Sequence, residues 1–237
     1  MPQLGRSRRV WIYLPPGYAS SRERYPVLYM HDGQNVFDEA TSFSGEWGVD
    51  EALDTLCPGV PPSIIVAIDN GGETRMNEYS PFDMEAYGKG EGAAYADFLA
   101  LTLKPFIDAR FRTLKSRRHT FTAGSSMGGL ISFYILLRHP RVFGGAGVFS
   151  PAFWVAPAIK EYAATRAKQV KGKIYFFAGQ RESESMVPDL LALFQIMNRL
   201  SPASMTTVIR AEGKHEEATW RKEFPLFYQW MLCGTAD

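Results

Sequence analysis

The chain has 237 residues, with 26 basic and 25 acidic side chains, a formal net charge of +1, and 46% hydrophobic content. That length and apolar content fit one α/β domain with a sizeable core. The balanced charge points away from nucleic acid and anionic membrane surfaces, and no apolar run reaches membrane-spanning length.

Residues 1–9 carry Arg6, Arg8 and Arg9 and read as a solvated N-terminal arm. No apolar signal core follows the arginines, so the chain reads as cytoplasmic. Residues 10–14 form a strand pattern stopped by Pro15-Pro16-Gly17. Residues 27–30 are an apolar run, as in a strand buried on both faces, and His31-Asp32-Gly33-Gln34-Asn35 turns away from it. Residues 47–56 have helical spacing at Val49, Ala52, Leu53 and Leu56. Residues 63–68 are the third strand. The connection 69–92 reads as structureless, a length usually tied to function, and as a partial lid. Residues 93–109 are a helix bent or re-initiated near Pro105.

Residues 118–130 read as strand, abrupt turn and helix, and Gly124-Ser125-Ser126-Met127-Gly128 matches G-x-S-x-G. That is the setting of a nucleophile elbow, in which a tight turn holds a serine hydroxyl clear of the backbone. Only Ser126 is in frame, since Ser125 would need glycine at Ala123 and Met127. Strand patterns then recur at 142–150, 173–178 and 206–210, and helical patterns at 156–169, 186–200 and 216–232, the last interrupted or tilted by Pro225. Alternation of this kind predicts a mostly parallel central sheet with helices on both faces. Sites in such sheets lie beyond the C-terminal strand ends. The two cysteines, Cys57 and Cys233, do not make a disulfide scaffold and read as buried free thiols in apolar helical surroundings.

A serine nucleophile needs a base, and histidine is the usual one. Of His31, His119, His139 and His215, only His215, in the loop before the last helix, fits the order serine, acid, histidine. The acid should lie on a loop between Ser126 and His215. Glu182 and Glu184 both qualify, with Asp189 more distant, and a Ser–His dyad is the other arrangement. The oxyanion would need two backbone donors, and the Met127 and Gln34 N–H groups are the candidates. Gly33 would let the second loop turn inwards. No metal-ligating spacing accompanies the four histidines, and no metal or cofactor is expected.

With these residues in hand, the chain resembles the putative-esterase (esterase D-like) family of α/β-hydrolases. That family includes siderophore and feruloyl esterases, S-formylglutathione hydrolase and mycolyltransferases. The resemblance spans residues 10–232 and rests on the 28–37 and 124–129 stretches, His139-Pro140, Ser150-Pro151 and His215. It implies the α/β-hydrolase fold as a single catalytic domain, the nucleophile at Ser126 and the histidine at His215. It also places the acid at Glu182, although Gln180 stands where the family commonly has threonine and some members lack a direct acid. The implied activity is serine carboxylic ester hydrolysis of small or aromatic esters. An acyltransferase using the same acyl-enzyme, and a binding protein on the same scaffold, are the competing readings.

Trp47, Tyr79, Phe82, Phe153 and Trp154 lie in segments expected over the strand ends. Trp47, Tyr79, Phe153 and Trp154 are the candidate walls of an apolar substrate pocket. Arg75 and Arg181 could face a substrate carboxylate, but each reads first as a solvated surface residue. The expected partner is a small-molecule ester.

Overall fold

The computed structural model describes residues 1–56 and 59–233. Seven strands form one sheet: β1 (Val10–Tyr13), β2 (Val27–His31), β3 (Ile64–Ile68), β4 (Thr120–Ser125), β5 (Gly145–Phe149), β6 (Lys173–Gly179) and β7 (Ser204–Arg210). Their order is β1-β3-β2-β4-β5-β6-β7. All neighbours run parallel except β1, which pairs antiparallel with β3 at the edge.

The five central strands β2 to β6 are buried almost throughout, which is why they read as continuous apolar runs. Period-two alternation divides their side chains between two cores. Val27, Tyr29, Ile64 and Val66 face one side, and Leu28, Met30, Ile65 and Ala67 face the other. The first side is covered by α3 (Gly92–Phe98), α5 (Met127–Arg138), α6 (Ile159–Arg166) and α7 (Met186–Leu200). Helix α5 sits at the centre, with Met127 to Leu137 all buried, so its apolar pattern is continuous rather than one-sided. The second side is covered by α1 (Val49–Asp54) and α8 (Glu217–Leu232).

Two expectations change here and one holds. Helix α8 runs through Pro225 as one element. As expected, the 93–109 helix is re-initiated near Pro105: a π turn over Leu99–Leu103 leads into α4 (Lys104–Arg110). In that turn the Lys104 N–H reaches the Leu99 carbonyl. A proline has no N–H for the carbonyl four residues back, so this is where the ladder has to change. The 69–92 connection is packed into the body rather than structureless. It carries α2 (Arg75–Tyr79), in which Glu78 and Tyr79 are buried.

The N-terminal arm is also anchored. Arg6 reaches Glu78 and Glu91 at 2.9 and 2.5 Å, and Arg8 reaches Glu78 at 2.7 Å and the Asn70 carbonyl at 2.9 Å. A fully buried carboxylate needs such partners, and these arginines supply them. Only Arg9 is exposed as expected. The reading of Cys57 lies outside the described residues, and Cys233 is half-buried after α8. Among the described residues no helix is long and apolar enough to cross a membrane.

Candidate active site

Ser126 stands at the turn from β4 into α5 with φ 58° and ψ −121°. Such a backbone costs about 1–3 kcal/mol and persists only where the surroundings enforce it. Here the Ser126 N–H is held by the Phe149 carbonyl at 2.9 Å, and its own carbonyl accepts from Leu130 and Ala152. The glycine of the motif has a steric cause. A Cβ on Gly124 would lie 2.9 Å from the Gly128 carbonyl carbon, so strand and helix cross too closely for a side chain there.

His215 lies in the loop between β7 and α8 and is 40% exposed. Its Nδ1 is 2.7 Å from Glu182 Oε2. The Glu182 side chain is 1% exposed, and its Oε1 accepts from Gly179 N–H at 2.5 Å and from Ser150 Oγ at 2.7 Å. Glu184 is exposed, and Asp189 pairs with Lys160. The two loops are brought together by backbone contact. A Cβ on Gly179 would lie 2.2 Å from the Gly213 carbonyl oxygen, and Arg181 N–H donates to that same oxygen at 2.9 Å.

Met127 opens α5, so its N–H has no acceptor within the helix and points with the positive end of the helix dipole. Gln34 lies in the 3₁₀ turn Gly33–Asn35 after β2, where the first N–H groups are likewise left over. The left-handed backbone falls on Asp32 (φ 55°) rather than on Gly33. Asp32 is held by a two-pronged contact from Arg75, Nε to Oδ1 at 2.6 Å and Nη2 to Oδ2 at 2.9 Å. Asn70 Nδ2 adds a bond to Oδ1 at 2.7 Å, and Asp32 N–H donates to the Tyr79 hydroxyl at 3.2 Å. Arg75 is thus spent on an internal carboxylate, and Arg181 pairs with Glu212 on the surface.

Ser126 and His215 line one cavity of about 240 Å³ together with Asp32, Arg75, Glu217, Trp220 and Phe43. Two larger clefts, of about 480 and 490 Å³, contain neither serine nor histidine in their walls. The expected aromatic wall is not there. Trp47 is buried against Phe149, Trp220 and Phe224, Tyr79 is fully buried, and Phe153 packs on Phe133. Trp154 is 60% exposed and outside the cavity lining. Burying these rings removes their area from water, which stabilises them in the core. The aromatic side chains that do line the cavity are Phe43, 62% exposed, and Trp220, whose ring meets His215 edge to face at 5.1 Å. Sequence pattern marks neither as a site residue, although Trp220 lies five residues beyond His215, in the first turn of α8.

Two of the three remaining histidines have buried or paired places elsewhere. His31 is buried between Tyr95 and Thr122, and burial pushes its pKa down to about 3. His139 Nε2 meets Asp97 at 2.8 Å. Among the described residues no group of three His, Cys, Asp or Glu is placed to hold a metal ion.

The same architecture is found in known proteins. An IroE-like serine hydrolase of Shewanella oneidensis superposes with a TM-score of 0.78 at 24% identity, covering 98% of this chain and 77% of that one. The enterobactin esterase FES of Shigella flexneri superposes with a TM-score of 0.75 at 22% identity, covering 97% of this chain and 56% of the other. In sequence, the endo-1,4-beta-xylanase/feruloyl esterase of Xylanibacter ruminicola is 28% identical over 230 residues. That stretch is 92% of this chain and only 28% of the bifunctional protein. The sequence profile of the family described as "Putative esterase" matches residues 2–229, and on that match the chain belongs to the putative esterase family and is a carboxylic ester hydrolase with an α/β-hydrolase fold.

Proposed function

We propose that the protein is a serine esterase that works through an acyl-enzyme on Ser126. Ser126 Oγ attacks the ester carbonyl carbon while His215 Nε2 takes its proton. Glu182 holds the proton on Nδ1, so that Nε2 is the free base, and stabilises the imidazolium that forms. The Met127 and Gln34 N–H groups face the oxyanion. Collapse of the tetrahedral intermediate breaks the C–O bond, and the alcohol leaves with the proton from Nε2. Water, deprotonated by the same nitrogen, then releases the acid and restores Ser126. The observation that carries this reading is the 2.7 Å contact between Glu182 and His215, made beside a strained elbow whose serine lines the same cavity.

The small cavity supports small esters, and the exposed Phe43 ring supplies the aromatic surface beside it. Feruloyl and enterobactin esterases are among the proteins it resembles, which brings aromatic acyl esters into the test. The experiment is a series of p-nitrophenyl esters of increasing chain length, with methyl ferulate, on wild type and Ser126→Ala. Ser126→Ala should lose at least about 10³ in kcat, and an organophosphonate should label Ser126 and spare Ser125. Activity surviving the substitution, or label on Ser125, would overturn the assignment.

A further inference from the structure

Beyond the elbow and the Asp32 turn, one more non-glycine residue among those described has a positive φ: Ser150, at 42°. Strained residues of this kind concentrate where a side chain must be aimed. Ser150 is fully buried just after β5, and its N–H is bonded to the Phe177 carbonyl at 2.7 Å. Its hydroxyl has two partners. Oγ lies 2.7 Å from Glu182 Oε1, and Trp220 Nε1 lies 2.9 Å from Oγ.

The direction of both bonds follows from their chemistry. An indole N–H can only donate, so Ser150 Oγ accepts from Trp220, and its single proton is left to point at the carboxylate. Glu182 Oε1 therefore receives two fixed donors, Ser150 Oγ and Gly179 N–H, while Oε2 faces His215. The Trp220 ring that orients Ser150 also stands edge-on against the His215 imidazole.

We propose that Ser150, oriented by Trp220, is a positioning residue that sets the rotation of the Glu182 carboxylate and, through it, the tautomer and aim of His215. The inference rests on the Ser126–His215–Glu182 reading above and adds the parts that make Glu182 act in one orientation. It gives the Ser150-Pro151 stretch a task in the reaction that a turn-forming role alone would not require.

The test measures kcat and KM for p-nitrophenyl acetate in Ser150→Ala, Ser150→Gly and Trp220→Phe, each in the wild-type and the Glu182→Ala backgrounds. Ser150→Ala should lower kcat by about 10- to 100-fold, as expected for a lost bond to a buried charge, with KM within about twofold. Trp220→Phe should act in the same direction and less, since it keeps the ring. With Glu182 already removed, the serine substitutions should cost less than about threefold more, because residues acting through one another are not additive. Should Ser150→Ala fail to fold, Ser150→Gly carries the test, as glycine takes a φ of 42° without strain. Wild-type kcat in the Ser150 variants, or an equal loss in both backgrounds, would overturn the proposal while leaving the Ser126 reading intact. Ser126→Ala, run alongside, separates the two: if it keeps full turnover, the underlying reading fails and the proposal with it.

Discussion

Replacing Glu182 by glutamine tests the site by turning one carboxylate oxygen into an amide nitrogen and removing the charge, with almost no change of shape. The amide oxygen can still accept from Ser150 and Gly179 at the Oε1 position. The amide nitrogen then occupies the Oε2 position, 2.7 Å from His215 Nδ1, and brings a donor where the carboxylate brought an acceptor. The imidazole answers by moving its proton to Nε2, which disables it as the base in the proposed mechanism. The lost attraction between carboxylate and imidazolium is about 4 kcal/mol for charges about 4 Å apart at an effective dielectric constant of about 20. His215 is 40% exposed, so solvent screens part of this, and about 2–3 kcal/mol remains. The wrong tautomer and the lost charge-assisted bond add about 2 kcal/mol. The sum, about 4–5 kcal/mol, corresponds to a loss of roughly 10³- to 10⁴-fold in kcat. Glu182→Ala leaves the imidazole free to take either tautomer and should be less damaging than Glu182→Gln. Steady-state hydrolysis of p-nitrophenyl acetate, with thermal melting to confirm folding, measures both. A glutamine variant within tenfold of wild type would refute the reasoning, and so would an alanine variant clearly slower than the glutamine one.

Two further predictions concern the supports of the site. Burial holds the His31 pKa near 3 against an ordinary 6.5, so between those values the unfolded chain takes a proton that the folded protein refuses. The stability from neutral His31 is therefore complete above pH 6.5 and lost as pH falls towards 3, at about 1.4 kcal/mol per pH step. His31→Gln should flatten that acid limb in urea unfolding followed by circular dichroism; parallel limbs in the two proteins would contradict it. Arg75→Ala leaves the nearly buried Asp32 carboxylate without its main partner, which should destabilise the protein by about 2–3 kcal/mol. If Gln34 N–H is the oxyanion donor as proposed, loosening its loop should also lower kcat by roughly tenfold. An unchanged urea midpoint together with an unchanged kcat would rule out this role.

Much of this molecule is determined within short windows of sequence. The apolar runs of β2 and β3 commit those segments to a sheet covered on both faces, and the pattern 186–200 becomes a helix with the same ends. The glycine pattern of the elbow is local too, because the closeness of Gly124 to Gly128 is a property of five consecutive residues, while the Ser126 backbone is held from Phe149 and Ala152. The order Ser126, acid, His215 follows from where loops fall after strands. Other features are decided by residues far apart in the chain. An extended loop would put Glu182 and Glu184 on one side, but the Gly179–Gly213 contact turns the loop so that Glu182 goes inwards and Glu184 outwards. Arg6 and Arg8 look solvated until Glu78 is brought to them from some seventy residues away. Trp47, Tyr79 and Phe153 have the same composition signal whether they line a pocket or fill a core. Helix α8 closes over Trp47, Asp32 and His31 settle on Tyr79, and α5 takes Phe153. The tertiary structure makes that choice because these rings lose more water-exposed area against one another than they would around a cavity open to solvent.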